Sequence, residues 1–134
     1  MNLQRMPAVY LPHGGGPWPF MAGDSFGPPA MWKGLRAYLE GLSTLLSTTP
    51  KCLLVISAHW EEPLPTVMSG SNPPMLYDYQ GFPPETYRLQ WPAPGAPELA
   101  ERVANLLAAA GIESRLNDVR GFDHGVFVPL MLAY

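Results

Sequence analysis

The sequence predicts an α/β fold, with a largely parallel or mixed central sheet flanked by helices in a single domain over residues 1–134. Three observations carry this. Apolar runs of strand length alternate with segments of helical periodicity, the pattern of sheets whose strands are joined by helices. The run "CLLVI" inside "KCLLVIS" (51–57) is apolar without alternation, as in a strand covered on both faces. The 17 prolines and 13 glycines fall between these segments instead of forming a low-complexity tract, so the loops are long and shaped.

Taken in order, "PAVYL" (7–11) is a short apolar strand stopped by Pro12, and "PHGGGPWPF" is the loop behind it. A helix is expected over 29–46, where Trp32, Leu35, Leu39, Leu42 and Leu46 recur at helical spacing. "KCLLVIS" is the clearest strand, with Cys52 inside it as a small buried hydrophobe, and "LPTVMSG" (64–70) is a shorter one. The stretch from Ser71 to Pro97 reads mostly as loop, with "ETYRLQW" (85–91) as an edge strand. "PELAERVANLLAAAG" (97–111) is the best helix. Leu99, Val103, Leu106 and Leu107 make its apolar stripe, Glu98 and Glu101 sit at its positive end, and Gly111 suits its C-terminus. "IESRLN" (112–117) alternates like a strand, "DVRGFDHG" is a loop, and "VFVPLMLAY" opens a last, helical element. That element is apolar to its end and lacks a cap, which suggests the N-terminal part of a longer protein.

Composition narrows the function. The chain is 47% apolar and 14% charged, with mean hydropathy near zero, so it has the means to build a core. A net charge of −3 with eight scattered Lys and Arg leaves no basic face for nucleic acid or for an anionic membrane. No apolar stretch has the length of a signal peptide or a membrane span, and one cysteine permits no internal disulfide. The expected setting is the cytoplasm and the expected ligand is small.

The three histidines are the candidates for chemistry: His13 in "LPHGGGP", His59 in "ISAHWEE" and His124 in "GFDHGVF". His13 and His59 stand where strands deliver their carboxyl ends, the place where open parallel sheets bind ligands. Glycines beside His13 and His124 permit close approach of a ligand to the backbone. Neutral imidazole suits Zn, Fe, Cu and Ni, yet a loop histidine is as often a solvent-facing hydrogen-bonder, and the spacing lacks the tightness of HExxH. "HGGG" resembles an esterase oxyanion strip, but no GxSxG elbow accompanies it. "GGGPWPFMAG" lacks the GK[ST] of a phosphate loop. Glu61 and Glu62 read as a solvated face, and Trp18, Trp60, Trp91, Tyr77 and Tyr79 as either an aromatic pocket or packing. Asp123 can either orient His124 or cap the helix that follows.

Taken together, "LPHGGGP", "ISAHW", "YDYQGFPPETYRLQWPAPGAPELAERV" and "GFDHGVFVPL" resemble the class III extradiol ring-cleavage dioxygenases of the LigB-like superfamily, in particular the DOPA 4,5-dioxygenase-like branch. The motifs run through nearly the whole chain in the family's order. The resemblance implies a non-haem metal, Fe(II) with Zn(II) as the alternative, held by His13 and His59. His124 would act on the ring hydroxyls or oxygen from the substrate pocket, which Gly14 and Trp60 would also line. The implied substrates are a catechol-type aromatic and O2, and the implied reaction is opening of the aromatic ring beside the two hydroxyls. The family's later half also brings a third metal ligand and a further histidine, whereas this chain has no histidine after His124. The expectation is therefore a domain lacking the C-terminal part of the family fold, with a two-histidine site that holds iron weakly. Two rivals stay open: an inactive fragment or LigB-like metal-binding scaffold, and a zinc-dependent hydrolase that activates water. Exposed sheet edges would leave room for a homo-oligomer or for the missing C-terminal segment.

Overall fold

A computed structural model describes residues 6–23, 27–46 and 48–134. It contains three α-helices and a two-stranded parallel sheet, an incomplete α/β fold. Strand β1 (Thr66–Met68) pairs with β2 (Arg115–Asn117) in the register Thr66↔Arg115, Val67↔Leu116 and Met68↔Asn117. Parallel partners need a crossover, and helix α2 (Pro97–Ala109) lies in that connection and packs on both strands. Past the strand ends, Ser69 donates to the Asn117 carbonyl at 2.8 Å and Arg115 to that of Pro65 at 2.9 Å.

Helix α2 ends much as the sequence indicates. Gly111 takes φ +74°, and Ile112 N–H returns to the Leu107 carbonyl at 2.9 Å, satisfying a carbonyl in the last turn. Its buried residue is Ala100, while Leu106 is exposed, so the stripe facing the strands is set by Leu99, Ala100, Val103 and Leu107. Helix α1 (Pro29–Glu40) starts on a proline whose missing N–H is no loss there and stops six residues earlier than expected. Gly41, a poor helix former, ends it, and Leu42–Leu45 continue as a 3-10 turn that still buries Leu42.

The core forms where α1 meets α3 (His124–Ala133). Helix α3 is apolar on every side and buries Val126, Phe127, Val128, Pro129, Leu130 and Ala133, as a helix must when both its faces are covered. Leu39, Leu42, Trp18, Tyr79 and Phe122 close around it. Pro129 cannot donate back to the Gly125 carbonyl, which leaves the first turn of α3 free of that helical bond.

Several sequence expectations are corrected. Residues 85–91 form no edge strand: Pro84–Arg88 is a 3-10 turn. Pro83 and Pro84 fix φ for the turn, and Thr86 closes it, donating to the Pro83 carbonyl from its backbone at 3.0 Å and its hydroxyl at 2.7 Å. Residues 7–11 and 51–57 are extended but join no sheet among the described residues. A strand is defined by its ladder partners, and none lies beside these runs. The expected cover is missing for the same reason: Ile56 is 93% exposed, Leu54 69% and Tyr10 87%, and Cys52 is exposed instead of buried. Tyr38 Oη donates to the Tyr10 carbonyl at 2.9 Å and ties the first run to α1. No described helix is long and apolar enough to cross a membrane.

The two kinds of apolar position respond differently to truncation. Phe127→Ala, at a fully buried ring, is expected to cost about 3–5 kcal/mol in chemical denaturation. Ile56→Ala is expected to stay within about 0.5 kcal/mol of the parent; an equally large loss there would show the 51–57 run to be packed.

Candidate metal centre

Each histidine is delivered by a different device. His13 ends the first extended run, and its carbonyl accepts from Trp18 Nε1 at 2.7 Å, while Trp18 stacks on Trp32 with centroids 4.9 Å apart. Gly14 follows with φ +76°, and a Cβ there would lie 2.5 Å from Trp18 Nε1, so the turn needs glycine on both counts. His59 ends the second run. Ser57 Oγ accepts its backbone N–H at 3.1 Å and donates at 2.8 Å to Asp123 Oδ1, a buried carboxylate that Arg120 also reaches at 3.3 Å. The loop bearing His59 is thereby fastened to the residue preceding α3.

His124 is the first residue of α3, and it is buried. Its backbone N–H and its ring Nδ1 both reach Asp78 Oδ1, at 2.9 and 2.7 Å. The two roles read for Asp123, orienting His124 and capping the helix, are therefore filled by Asp78, forty-six residues upstream. Asp123 makes no side-chain cap and serves Ser57 and Arg120 instead. Asp78 is placed by an isolated parallel bridge, Met75↔Phe122, in which Leu76 N–H donates to the Phe122 carbonyl at 2.7 Å and Phe122 N–H to that of Pro74 at 2.8 Å. Gly121 permits this pairing, since a Cβ there would collide with the Pro74 carbonyl.

The three rings meet. Centroids of His13 and His59 are 4.8 Å apart, those of His13 and His124 4.9 Å, and those of His59 and His124 4.2 Å. His13 Nε2 and His59 Nε2 are separated by 2.9 Å. One ring nitrogen from each histidine lies within 4.8 Å of the others, a group that could hold a metal ion. The fit is testable by arithmetic. Zinc–imidazole bonds of about 2.0–2.1 Å put two ligand nitrogens about 3.4 Å apart at the tetrahedral angle and about 2.9 Å apart at a right angle, so the 2.9 Å between His13 and His59 matches the narrower angle. Ligands on opposite sides of such an ion stand at most about 4.2 Å apart, so the 4.8 Å spread of the three nitrogens must close by about 0.6 Å before all three could hold one ion.

Electrostatics favours the neutral form of His13 that metal ligation requires. Burial pushes the His13 imidazolium below its ordinary range, and the neighbouring His124 and His59 push it the same way. His13 Nδ1 is buried without a hydrogen-bond partner, so nothing among the described residues fixes that ring through Nδ1. Burial would raise the Asp78 carboxyl, but the hydrogen bonds from His124 outweigh it and hold the group below its usual range. Tyr79, whose ring is 5.7 Å from that of His124, is no base. Burial lifts its phenol to about 12, and its hydroxyl is committed to the Thr86 carbonyl at 2.6 Å.

Of the remaining residues singled out by sequence, Trp60 donates from Nε1 to Glu62 at 2.9 Å and carries Arg120 over its ring at 4.9 Å. Trp91 packs on Phe122, and Tyr77 on Tyr79, Tyr87 and Phe127, so these rings build the support behind His124. A cleft of about 520 Å³ opens beside Trp18, Trp32, Lys33 and Arg36, but none of the three histidines lines it. Sequence reasoning missed Asp78 and Ser57 and gave Gly125 a different role. A Cβ on Gly125 would fall 2.6 Å from His59 Cδ2, so this glycine admits a histidine ring where ligand approach was expected.

The family model described as the catalytic LigB subunit of aromatic ring-opening dioxygenase matches residues 8–134. The chain is 43% identical over 126 residues to the 4,5-DOPA dioxygenase extradiol of Beta vulgaris, covering 93% of this chain and 44% of that protein. It is 39% identical over 132 residues to the dioxygenase tasH of Hapsidospora irregularis, covering 94% and 39%. It is 33% identical over 134 residues to the 4,5-DOPA dioxygenase extradiol of Escherichia coli (strain K12), covering 100% and 45%. The chain thus spans less than half the length of these relatives.

Gly125→Ala separates helix propensity from the site. Alanine favours a helix by about 1 kcal/mol over glycine, yet here the added methyl displaces the His59 ring. The expected result is unchanged helicity by circular dichroism with zinc affinity at least tenfold weaker; unchanged affinity would show that His59 does not need this contact.

Proposed function

Because this chain belongs to the LigB family of catalytic subunits of aromatic ring-opening dioxygenases, we propose that it takes part in metal-dependent extradiol cleavage of a catechol-type ring by O2. The observation that supports this reading most is the meeting of the three imidazoles, with His13 Nε2 and His59 Nε2 2.9 Å apart. His13 and His59 are the metal ligands, and Fe(II) is the metal, with Zn(II) as the alternative. The chemistry that a ferrous ion supplies at such a place is acidification of two ring hydroxyls and a path for electrons from the ring to dioxygen.

The chain's own residues do the rest. His13 and His59 meet as neutral donors, helped by the burial that disfavours protonation of His13. His124 is held by Asp78 through Nδ1, which leaves Nε2 to hold or move a proton at a ring hydroxyl, the work of a positioned general acid or base. Gly14 and Trp60, each next to a ligand in the chain, are the residues proposed to border the substrate. The buried aromatic layer of Tyr77, Tyr79 and Phe127 keeps water from the back of His124.

A second reading has its own support. The candidate ligand group among the described residues is three histidines with no carboxylate, whereas open non-haem iron sites of the facial type use two histidines and one carboxylate. On that reading the chain holds metal without turning a catechol over.

Anaerobic loading with Fe(II), followed by oxygen-electrode measurement with a catechol, decides between them. Oxygen uptake that needs iron and disappears in His59→Ala is the expected result. His124→Asn should retain the metal while slowing uptake about 10²–10⁴-fold, the usual share of a general acid or base. Metal bound without uptake favours the second reading, and turnover with zinc under argon would replace the dioxygenase by a hydrolase.

A further inference from the structure

We infer that Asp78 is the positioning residue of this centre: one carboxylate sets the tautomers of both His59 and His124, so that each ring keeps Nε2 as its lone-pair nitrogen, which in His59 is the atom that meets His13. Its value for ring cleavage rests on the function proposed above, but the tautomer assignment itself does not.

The geometry is specific. A carboxylate is an acceptor only, and each oxygen has two lone pairs. Oδ1 uses both on His124, taking the backbone N–H at 2.9 Å and the ring Nδ1–H at 2.7 Å. Oδ2 stands 3.6 Å from His59 Nδ1. That distance is too long for a hydrogen bond, but it places a negative charge beside the nitrogen and favours a proton there. In a neutral imidazole a proton on Nδ1 leaves Nε2 as the lone-pair nitrogen, and His59 Nε2 is the atom 2.9 Å from His13 Nε2. Metal-binding histidines generally give their second N–H to a carboxylate or carbonyl that fixes the ring. A single side chain does this here for His124 and sets its charge beside the same nitrogen of His59, a ring from another part of the chain.

Asp78 is itself immobilised. Its N–H donates to the Leu76 carbonyl at 3.0 Å, and the tyrosines on either side are anchored through their hydroxyls, Tyr77 to Leu89 and Tyr79 to Thr86, each at 2.6 Å. The carboxylate is therefore a fixed reference against which the imidazoles are set.

Asp78→Asn tests this with almost no change of shape. The amide oxygen keeps both bonds to His124, because the opposite orientation would set an amide N–H against the backbone N–H. The amide nitrogen then faces His59 Nδ1 and sets an N–H there in place of the carboxylate's negative charge. Histidine tautomers read by 15N NMR on the metal-free chain near pH 8 should show Nδ1–H for His59 and His124 in the parent. In Asp78→Asn, His124 should be unchanged while His59 moves to Nε2–H, and in Asp78→Ala both rings should lose their preference. Zinc affinity of Asp78→Asn should fall about 10–100-fold, the usual effect of losing such a partner. His59 keeping the parent tautomer in Asp78→Asn, or His124 carrying its proton on Nε2 in the parent, overturns the inference. Tautomers that switch as expected in a parent chain that binds no zinc uphold the inference and reject the metal reading. If Asp78→Asn does not fold, the parent spectrum alone decides.

Discussion

The close approach of the His59 ring to Gly125 is the contact on which the rest of the centre depends. His59 lies on a loop that shares no sheet or helix with the first turn of α3, and its ring occupies the space that any side chain at position 125 would take. Ser57 and Asp123 hold the loop there, and Asp78 reaches the same turn from the other side. Three segments distant in sequence are thus joined by hydrogen bonds at one helix start. Polar clusters of this kind are stable only when nearly every donor and acceptor is satisfied. The carboxylates meet that demand; His13 Nδ1 and Arg120 Nε are the buried side-chain exceptions among the described residues.

The support behind that turn is apolar. Phe127, Val128 and Leu130 bury α3 against α1, and the tyrosines of the 77–87 region cover its start. A dry backing matters electrostatically, because burial penalises protonation of His13. The same helix therefore carries a core function on its apolar sides and a chemical one at its N-terminus.

Parts of this were legible in the sequence for physical reasons. Helix α2 could be read because its stripe, acidic first turn and Gly111 all express local energetics. The strands at 66–68 and 115–117 fall inside the runs expected, and α3 follows from an apolar run after an Asp–His–Gly loop. The candidate histidines could be listed because strand ends and glycine loops are where ligands gather. Asp78 could not be assigned, because its two partners lie across separations that no local pattern records, and "YDYQGFPP" reads simply as loop. The exposure of the 51–57 run was also beyond reach. An apolar segment reports that it suits burial, not whether a neighbour is present to bury it, and here Ile56 and Leu54 meet solvent.

The central claim is that His13 and His59 bind one cation together. Anomalous diffraction from zinc-loaded crystals tests it most directly. The account predicts a single peak about 2.0–2.1 Å from Nε2 of both rings. A zinc ion bound by only one of them, or lodged elsewhere on the chain, would contradict it.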